Sequence, residues 1–324
     1  MNILVIGLGS MGKRRIRLIL ELDRGYTLIG VDKRDDRRKE VSDLFGILCF
    51  ETINDASLAI QIDAAFVCTT PVSHGNIITD CLERHWNVFS ELNLVSDGYE
   101  KNIRMAKENQ CVLFLSSSFL YRGEIQYING RVDLSRRWNY IYHIGQYLPD
   151  WHPWESYKDF FIGQKRTNGP REILALELPW IEWVFGDIKK IGAISDKLTG
   201  LEIEYHDNYI IQLIHENGTK GVLLVDVVSP VAVRRFECYT ENRYIRWEGT
   251  PDTLFEYDPA EKSLEQIEIK EQEHQRGYQA FVVENAYEKE IVEFFDVVLY
   301  GNKASYSFEQ DRKILDLIDS IEAY

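Results

Sequence analysis

The stretch Asn2-Ile3-Leu4-Val5-Ile6-Gly7-Leu8-Gly9-Ser10-Met11-Gly12-Lys13 constrains the fold more than any other part of the chain. Residues 3–6 are a short apolar run of the kind buried in a parallel sheet. A Gly-x-Gly-x-x-Gly loop follows, then a helical pattern with apolar positions Ile16, Leu18, Ile19, Leu20 and Leu22. In this order the three glycines have separate duties. Gly7 permits the tight turn out of the strand, Gly9 lets the backbone approach a pyrophosphate, and Gly12 lets the helix pack on the strand. The free N–H groups at the helix start then face the anion. A second apolar strand, residues 27–31, ends in Asp32, about 20 residues after the loop, where a carboxylate accepts both hydroxyls of an adenosine ribose. Glycines alone would be a weak signal. Strand, loop, helix, strand and acid in order make a dinucleotide site the expectation.

The pattern continues. A charged helix spans 34–44, and residues 63–68 read as a third buried parallel strand that stops at Thr69-Thr70-Pro71. Pro71 removes a ladder donor and restricts Thr70, so the chain turns at the carboxyl end of the strand, where ligands of open α/β sheets sit. A helix over 74–84, a strand over 87–90 ending in Glu91-Leu92-Asn93, a helix over 97–109 and a strand over 111–116 follow. Strands alternating with helices at this spacing predict a doubly wound parallel sheet. Near 118–122 the pattern changes. An alternating strand at 138–144 carries His143, and period-2 strands are expected at 201–205, 209–215, 221–228, 232–240 and 244–247, with Asn217-Gly218 as a hairpin turn. That sheet should be mostly antiparallel, with one face buried. Helices over 284–300, carrying Ile291, Phe294, Phe295, Val297 and Val298, and over 308–321 end the chain. The expected class is α/β: a Rossmann domain over 1–120 and an α+β domain with a large open sheet over 121–324.

At 324 residues and 45% hydrophobic content the chain can bury two ordinary cores. A net charge of −15 repels a phosphate backbone, which disfavours nucleic acid as a partner. The five cysteines, Cys49, Cys68, Cys81, Cys111 and Cys238, are scattered and never spaced as Cys-x-x-Cys. Buried thiols in a reducing compartment are expected, with no disulfide framework and no metal site. The sequence starts directly in a strand and holds no run of membrane-spanning length, so a cytoplasmic location is expected.

These features together resemble the Gfo/Idh/MocA family (glucose-fructose oxidoreductase, inositol dehydrogenase and rhizopine catabolism). The residues that carry the resemblance are the Gly7-Leu8-Gly9-Ser10-Met11-Gly12 loop, the Thr69-Thr70-Pro71-x-x-His74 turn, Val88-Phe89-Ser90-Glu91 and Trp183-Val184-Phe185-Gly186-Asp187. The late helix over 287–301 adds to them. The resemblance implies a nicotinamide cofactor and a sugar, cyclitol or nucleotide-sugar substrate. It places Gly7, Gly9, Ser10, Met11 and Gly12 on the pyrophosphate, Asp32 on the adenosine ribose, Thr69, Thr70, Pro71 and His74 beside the nicotinamide, and Glu91, with Asn93 close by, on the other ribose. The family's Glu-Lys-Pro stands here as Glu91-Leu92-Asn93, and its paired acid and histidine fall on Glu172 and Leu176. Both usual proton-transfer groups are therefore replaced by leucine, which does no acid–base work.

An active enzyme must then draw its base from elsewhere, and the segment Tyr147-Leu148-Pro149-Asp150-Trp151-His152-Pro153-Trp154-Glu155-Ser156-Tyr157-Lys158-Asp159-Phe160 is the candidate. Trp151, Trp154 and Tyr157 could stack on apolar sugar faces, while Asp150, His152, Glu155 and Lys158 could bond hydroxyls or move protons. The bland reading makes the aromatics core and the charges a solvated loop. Arg171 and Glu172, after Gly169-Pro170, are the second candidates, for substrate binding and catalysis or for a structural ion pair. The basic run Lys13-Arg14-Arg15 reads as a solvated helix face. Asp32 favours NAD, while Lys33 and Arg34 could tolerate NADP. The resulting expectation is an NAD-dependent oxidoreductase acting on a carbohydrate-type alcohol or ketone. The rivals are a cofactor-binding protein without dehydrogenase activity and NAD-assisted elimination or hydrolysis. A free sheet face makes a homo-dimer or homo-tetramer the expected assembly.

Overall fold

A computed structural model describes residues 1–152, 155–269 and 283–324. The chain divides into two units, Met1–Ser117 with Tyr287–Lys313, and Ser118–Ala286 with Ile314–Tyr324. In the first unit β1 (Asn2–Ile6), α1 (Ser10–Glu21), β2 (Thr27–Val31), α2 (Asp35–Phe45), β3 (Leu48–Phe50) and α3 (Ile53–Ala59) come first. After them come β4 (Ala64–Val67), α4 (Pro71–Glu83), β5 (Asn87–Ser90), α5 (Tyr99–Glu108) and β6 (Leu113–Leu115). The strands pair in the order β3-β2-β1-β4-β5-β6, every pair parallel. The order reverses between β1 and β4, which is the switch point of a doubly wound dinucleotide fold.

In the second unit α6 (Gly123–Arg131), β7 (Asn139–Gly145), α7 (Gly169–Phe185), β8 (Ile188–Asp196), β9 (Asn208–His215) and β10 (Lys220–Asp226) are followed by β11 (Val233–Thr240), β12 (Arg243–Trp247), β13 (Phe255–Asp258) and β14 (Ser263–Gln266). These make an eight-stranded sheet, β14-β13-β12-β11-β7-β10-β9-β8. Only the β7–β10 pair is parallel. Alternation sorts its side chains. Tyr140, Tyr142, Phe236, Ile211, Leu213, Leu223 and Trp247 are buried on one face, where Trp180 and Phe185 of α7 pack edge and face against them. The other face exposes Ile141, Ile194, Ile210, Val222 and Tyr239.

Two helices close the chain, α8 (Glu284–Tyr300) and α9 (Phe308–Glu322). From Tyr287 to Lys313 the chain belongs to the first unit, and the rest of α9 to the second. The reason α8 joins the first unit is aromatic. Phe66, Phe89 and Phe114 lie in register on β4, β5 and β6 and stack with ring centroids 4.6 and 5.3 Å apart. Phe294 sets its edge on all three, at 5.2, 5.6 and 5.7 Å. Ile291, Phe294 and Phe295 are fully buried in the same core as Ile3, Val5 and Ile16.

The strand expected at 201–205 is not formed. Buried Asp207 accepts hydrogen bonds from the Leu198 and Thr199 N–H groups and the Thr199 hydroxyl, which folds this stretch into a loop. Ile203 and Tyr205 are buried from that loop, and the Tyr205 hydroxyl donates to the Ile162 carbonyl. The strand that pairs with β9 is instead β8. Helix α4 begins at Pro71, whose fixed φ suits the first helical position.

Phe294→Ala should cost about 3–5 kcal/mol in chemical denaturation, since it removes the ring that meets all three strands. Tyr300→Ala, at the exposed end of the same helix, should change stability by less than about 0.5 kcal/mol.

Candidate functional site

The glycine loop is shaped by three different steric demands. Gly7 takes φ of +92°, and a Cβ there would meet the Cys68 carbonyl oxygen at 2.7 Å. A Cβ on Gly12 would meet the Gly7 oxygen at 2.0 Å, so the helix sits directly on the turn. A Cβ on Gly9 would meet, among the described residues, the Arg37 guanidinium at 3.5 Å at its nearest, an ordinary contact that leaves the backbone open. Gly9 is the N-cap of α1 and no side chain caps the helix. Exposed Ser10 and partly buried Met11 follow in the first turn. An open glycine at an uncapped helix N-terminus is what a pyrophosphate requires, so these residues fit a dinucleotide.

Asp32 stands at the end of β2. Its carboxylate accepts from the Leu8 N–H at 2.8 Å and the Arg34 N–H at 2.9 Å, with Arg37 3.6 Å away. A carboxylate has about four acceptor positions, so two remain for ribose hydroxyls. Of the basic residues around it, Arg34 pairs with Asp36, and Arg38 pairs with Asp35 and donates to the Asp32 and Lys33 carbonyls. Lys33 is exposed.

Beyond the switch point the residues at the β4 and β5 ends form a second cluster. Thr70 is exposed, and Thr69 shares a 2.7 Å hydrogen bond with Ser73. Pro71, His74 and Asn93 are buried. The His74 ring lies between the Asn93 side-chain amide, 2.7 Å from Nδ1, and the Thr69 carbonyl, 2.9 Å from Nε2. Burial pushes its pKa down, which keeps the ring neutral and fixes it as a support for the Thr69 turn.

Glu91 is bonded to a residue that the sequence reading placed on a solvated face. Arg15 is fully buried, with its Nε 2.5 Å from Glu91 Oε1 and its Nη2 2.7 Å from Glu290 Oε2 on α8. The guanidinium also lies over the Phe89 ring at 4.5 Å and donates to the Ser116 hydroxyl. Glu290 accepts in addition from the Ser117 N–H at 2.6 Å and the Ser116 hydroxyl at 3.0 Å. Arg15 could not be told from Lys13 by residue type, because a helix period assigns faces only where apolar residues mark them. Glu290 likewise carried no sequence signal.

In the second unit the candidate residues divide by exposure. Lys158 is exposed and paired with Glu202, and the Tyr157 hydroxyl accepts from the Glu202 N–H. His152 packs on Phe160, centroids 4.4 Å apart, with Nδ1 3.4 Å from Glu155, and burial pushes its pKa down. Trp151 donates to the Gln146 carbonyl. Trp154 lies outside the described residues. Arg171 donates to Asp319 and Glu322 at 2.6 Å each, which tethers α7 to the end of α9 within this unit. Glu172 is different. Its Oε2 is buried with no hydrogen-bond partner, and desolvation pushes its pKa up to about 7. His143, on the open face of β7, is 2.9 Å from Asp226, a pair the sequence did not reveal because the two lie on neighbouring strands. Among the described residues no group of three or more His, Cys, Asp or Glu is placed to hold a metal ion.

Residues 1–117 match the Gfo/Idh/MocA oxidoreductase family, NAD-binding Rossmann fold. This segment belongs to that family. The whole chain also shares its fold with solved structures. Levoglucosan dehydrogenase, in complex with NADH and L-sorbose, gives a TM-score of 0.83 at 12% identity, covering 99% of this chain and 95% of that one. A UDP-N-acetylglucosamine 3-dehydrogenase from Acidithiobacillus ferrooxidans gives 0.77 at 16%, covering 100% and 97%. Biliverdin reductase from Synechocystis, in complex with biliverdin and NADP+, gives 0.77 at 17%, covering 100% and 99%. A comparison with curated proteins found no match. As a Gfo/Idh/MocA segment, residues 1–117 form an NAD(P)-binding Rossmann unit of an oxidoreductase family, in agreement with the geometry of the Gly7–Gly12 loop.

The raised pKa of Glu172 has a consequence for stability. A carboxyl whose folded pKa exceeds its ordinary value of 4.5 stabilises the fold fully below that value, and this is lost as pH rises through about 7. Glu172→Gln should therefore match the parent protein near pH 4.5 and exceed it by about 1–2 kcal/mol at pH 8, read by chemical denaturation at each pH.

Proposed function

We propose that the protein is an NAD-dependent oxidoreductase that moves a hydride between nicotinamide and a carbohydrate-type alcohol or ketone. The observation that carries this reading is the open Gly9 at an uncapped helix start, with Asp32 at the neighbouring strand end, inside a segment of an NAD-binding oxidoreductase family. Bound NAD accepts or supplies the hydride. The chain's own residues do the rest. Gly7, Gly9, Ser10, Met11 and Gly12 hold the pyrophosphate, Asp32 the adenosine ribose with Lys33 beside it, and Thr69, Thr70, Pro71, His74, Glu91 and Asn93 form the nicotinamide side. Asp32 repels a 2′-phosphate, and Arg34 and Arg38 are already paired, which supports NAD over NADP.

Leu92 and Leu176 leave the proton to another group, and Glu172 is our first candidate to carry it. A carboxyl near pKa 7 with a buried, unbonded oxygen both accepts and returns a proton at neutral pH. His152 and Lys158 are the further proton-transfer candidates. Trp151, Trp154, Glu155, Tyr157 and Arg171 are the substrate-binding candidates. Solved structures of the same fold include a nucleotide-sugar dehydrogenase and a levoglucosan dehydrogenase, which supports a carbohydrate as substrate class. The two leucines favour a second reading, a cofactor-binding protein without dehydrogenase activity. The acidic balance argues against nucleic acid, and no described helix is long and apolar enough to cross a membrane. The five free cysteines support a cytoplasmic location.

Titration with NADH and NADPH, followed by energy transfer from tryptophan and repeated with a panel of sugars and nucleotide sugars, tests this. NADH should bind more tightly than NADPH, and Asp32→Ala should weaken NADH by roughly tenfold or more, the worth of charge-assisted hydrogen bonds. Glu172→Gln should keep NADH affinity and lower turnover by about 100-fold or more. Binding of neither nucleotide would overturn the assignment, and binding without turnover on any substrate would establish the second reading.

The open sheet face also supports a homo-dimer. Ile194, Ile210 and Leu224 are adjacent on β8, β9 and β10, beside Ile141 and Val222. Eight strands at about 4.8 Å and roughly six residues at about 3.3 Å span about 750 Å², close to the ~800 Å² per partner of a standard interface. Ile194→Asp combined with Ile210→Asp should shift the mass measured by light scattering from two chains to one. An unchanged mass of two would place the interface elsewhere.

A further inference from the structure

We infer that Glu290, acting through Arg15, sets the charge that stands behind Glu91 and so biases the cofactor site between oxidised and reduced nicotinamide. The inference rests on the cofactor reading above. In a fold of strand order 3-2-1-4-5-6 the dinucleotide lies across the switch point, one mononucleotide half on each side. Asp32, at the end of β2, takes the adenosine half. The nicotinamide half then faces the ends of β4, β5 and β6, where Glu91 stands.

Glu91 is the member of the cluster that reaches the surface. Its side chain is 11% exposed, while the Arg15 and Glu290 side chains are wholly buried. One guanidinium faces two carboxyls. With both ionised the cluster carries one net negative charge, and with Glu290 protonated it is neutral. The nicotinamide ring is positive when oxidised and neutral when reduced, so the negative cluster favours the oxidised form and the neutral cluster does not discriminate.

The other groups around the cluster do not titrate in its place. Cys68, just past the end of β4, has Sγ 4.0 Å from Glu91 Oε1, and burial holds its thiol well above the ordinary range. His74, on α4, is kept neutral by burial. On α1, the Arg14 guanidinium lies 4.5 Å over the Tyr287 ring of α8, and an arginine stays charged at any working pH. Lys289 on α8 is exposed. Ser116 and Ser117 add only neutral donors, to Glu290. Glu290 is pushed up to about 7, chiefly by burial, with the Glu91 charge adding to it against the pull of Arg15. It is therefore the group that changes charge near neutrality. Binding of the oxidised cofactor draws a proton off the Glu290 carboxyl into solvent, and binding of the reduced form leaves that proton in place.

The test is the ratio of dissociation constants for NAD+ and NADH at pH 6 and pH 8.5, with calorimetry in two buffers of different ionisation enthalpy to count protons. In the parent protein the NAD+/NADH ratio of constants should fall by about three- to tenfold as pH rises, the size of one charge acting through a protein interior. NAD+ binding near pH 7 should release a fraction of a proton. Glu290→Gln should hold the ratio at its pH 6 value throughout and abolish the proton release. Ser116→Ala removes one donor to the Glu290 carboxylate, so the midpoint of the pH change should move upward. A structural role alone would weaken both forms equally and leave the ratio unmoved. A flat ratio in the parent protein, or a Glu290→Gln ratio that still follows pH, would overturn the inference while leaving cofactor binding intact. If Glu290→Gln does not fold, an unmoved midpoint in Ser116→Ala overturns it by itself. Failure of either nucleotide to bind the parent protein would overturn the cofactor reading and this inference together.

Discussion

The first unit depends on one buried ionic contact. Arg15 sits one turn beyond the last glycine of the loop, and its guanidinium meets Glu91 at the end of β5 and Glu290 on α8. A wholly buried guanidinium without carboxylates would be prohibitively desolvated, and two buried carboxylates without it would repel each other. Each of the three groups is therefore tolerable only because the others are present. Replacing Arg15 leaves two carboxyls without their counter-charge, which costs far more than a surface pair contributes, whereas replacing either carboxyl leaves the other paired with Arg15. The contact also joins distant parts of the chain. It ties the helix that starts at the glycine loop to the strand end beyond the switch point and to a segment that returns nearly 200 residues later. The stacked rings of Phe66, Phe89 and Phe114, with Phe294 set edge-on to them, supply the apolar surroundings that make this geometry matter.

How far this could be read in the sequence depends on whether the signal was local. Strand, glycines, helix and Asp32 lie within the first 32 residues, and each has its own steric reason to be where it is. Gly7 needs its positive φ, and Gly12 its missing Cβ. The parallel sheet followed from the same alternation, and β1, β2, β4 and β5 fall where apolar runs put them. Short β3 and α3 escaped because three and seven residues leave too few positions for a period to show. The stretch at 201–205 alternates like a strand, but Asp207 bonds back to the Leu198 and Thr199 N–H groups and closes the residues between into a loop. Here a side chain competed with the sheet for backbone donors and won.

The site was legible to the same degree. Candidate residues close together in sequence, such as Gly9 and Asp32, carried recognisable spacing. Residues joined only by folding did not. Arg15 looked like its neighbours Lys13 and Arg14, and nothing in the chain marked Glu290 as its partner. His143 and Asp226 meet diagonally, two positions apart in register, because β7 and β10 are parallel neighbours, a pairing that depends on the order of the whole sheet. Charge-rich segments gave no sign of which ion pairs they would make. Lys158 is paired with Glu202 in an exposed position, and Arg171 tethers α7 to the end of α9.

Among the described residues two carboxyls, Glu172 and Glu290, are held near pKa 7, and the physics differs between them. Glu290 is raised by burial and by the Glu91 charge, yet it is surrounded by donors: Arg15, the Ser116 hydroxyl and the Ser117 N–H. Its proton is tied to a fixed geometry, so a change in its charge is felt by the neighbours that Arg15 contacts. Glu172 is raised by desolvation alone and one of its oxygens has no partner. A carboxyl without donors gains the most from meeting a hydroxyl, because that hydroxyl supplies the hydrogen bond that burial denied it. The same pKa thus marks a group built to hold charge in one place and a group left open to exchange a proton in another. Where leucine occupies both customary proton-transfer positions, it is an open carboxyl of this second kind that we propose as the proton carrier.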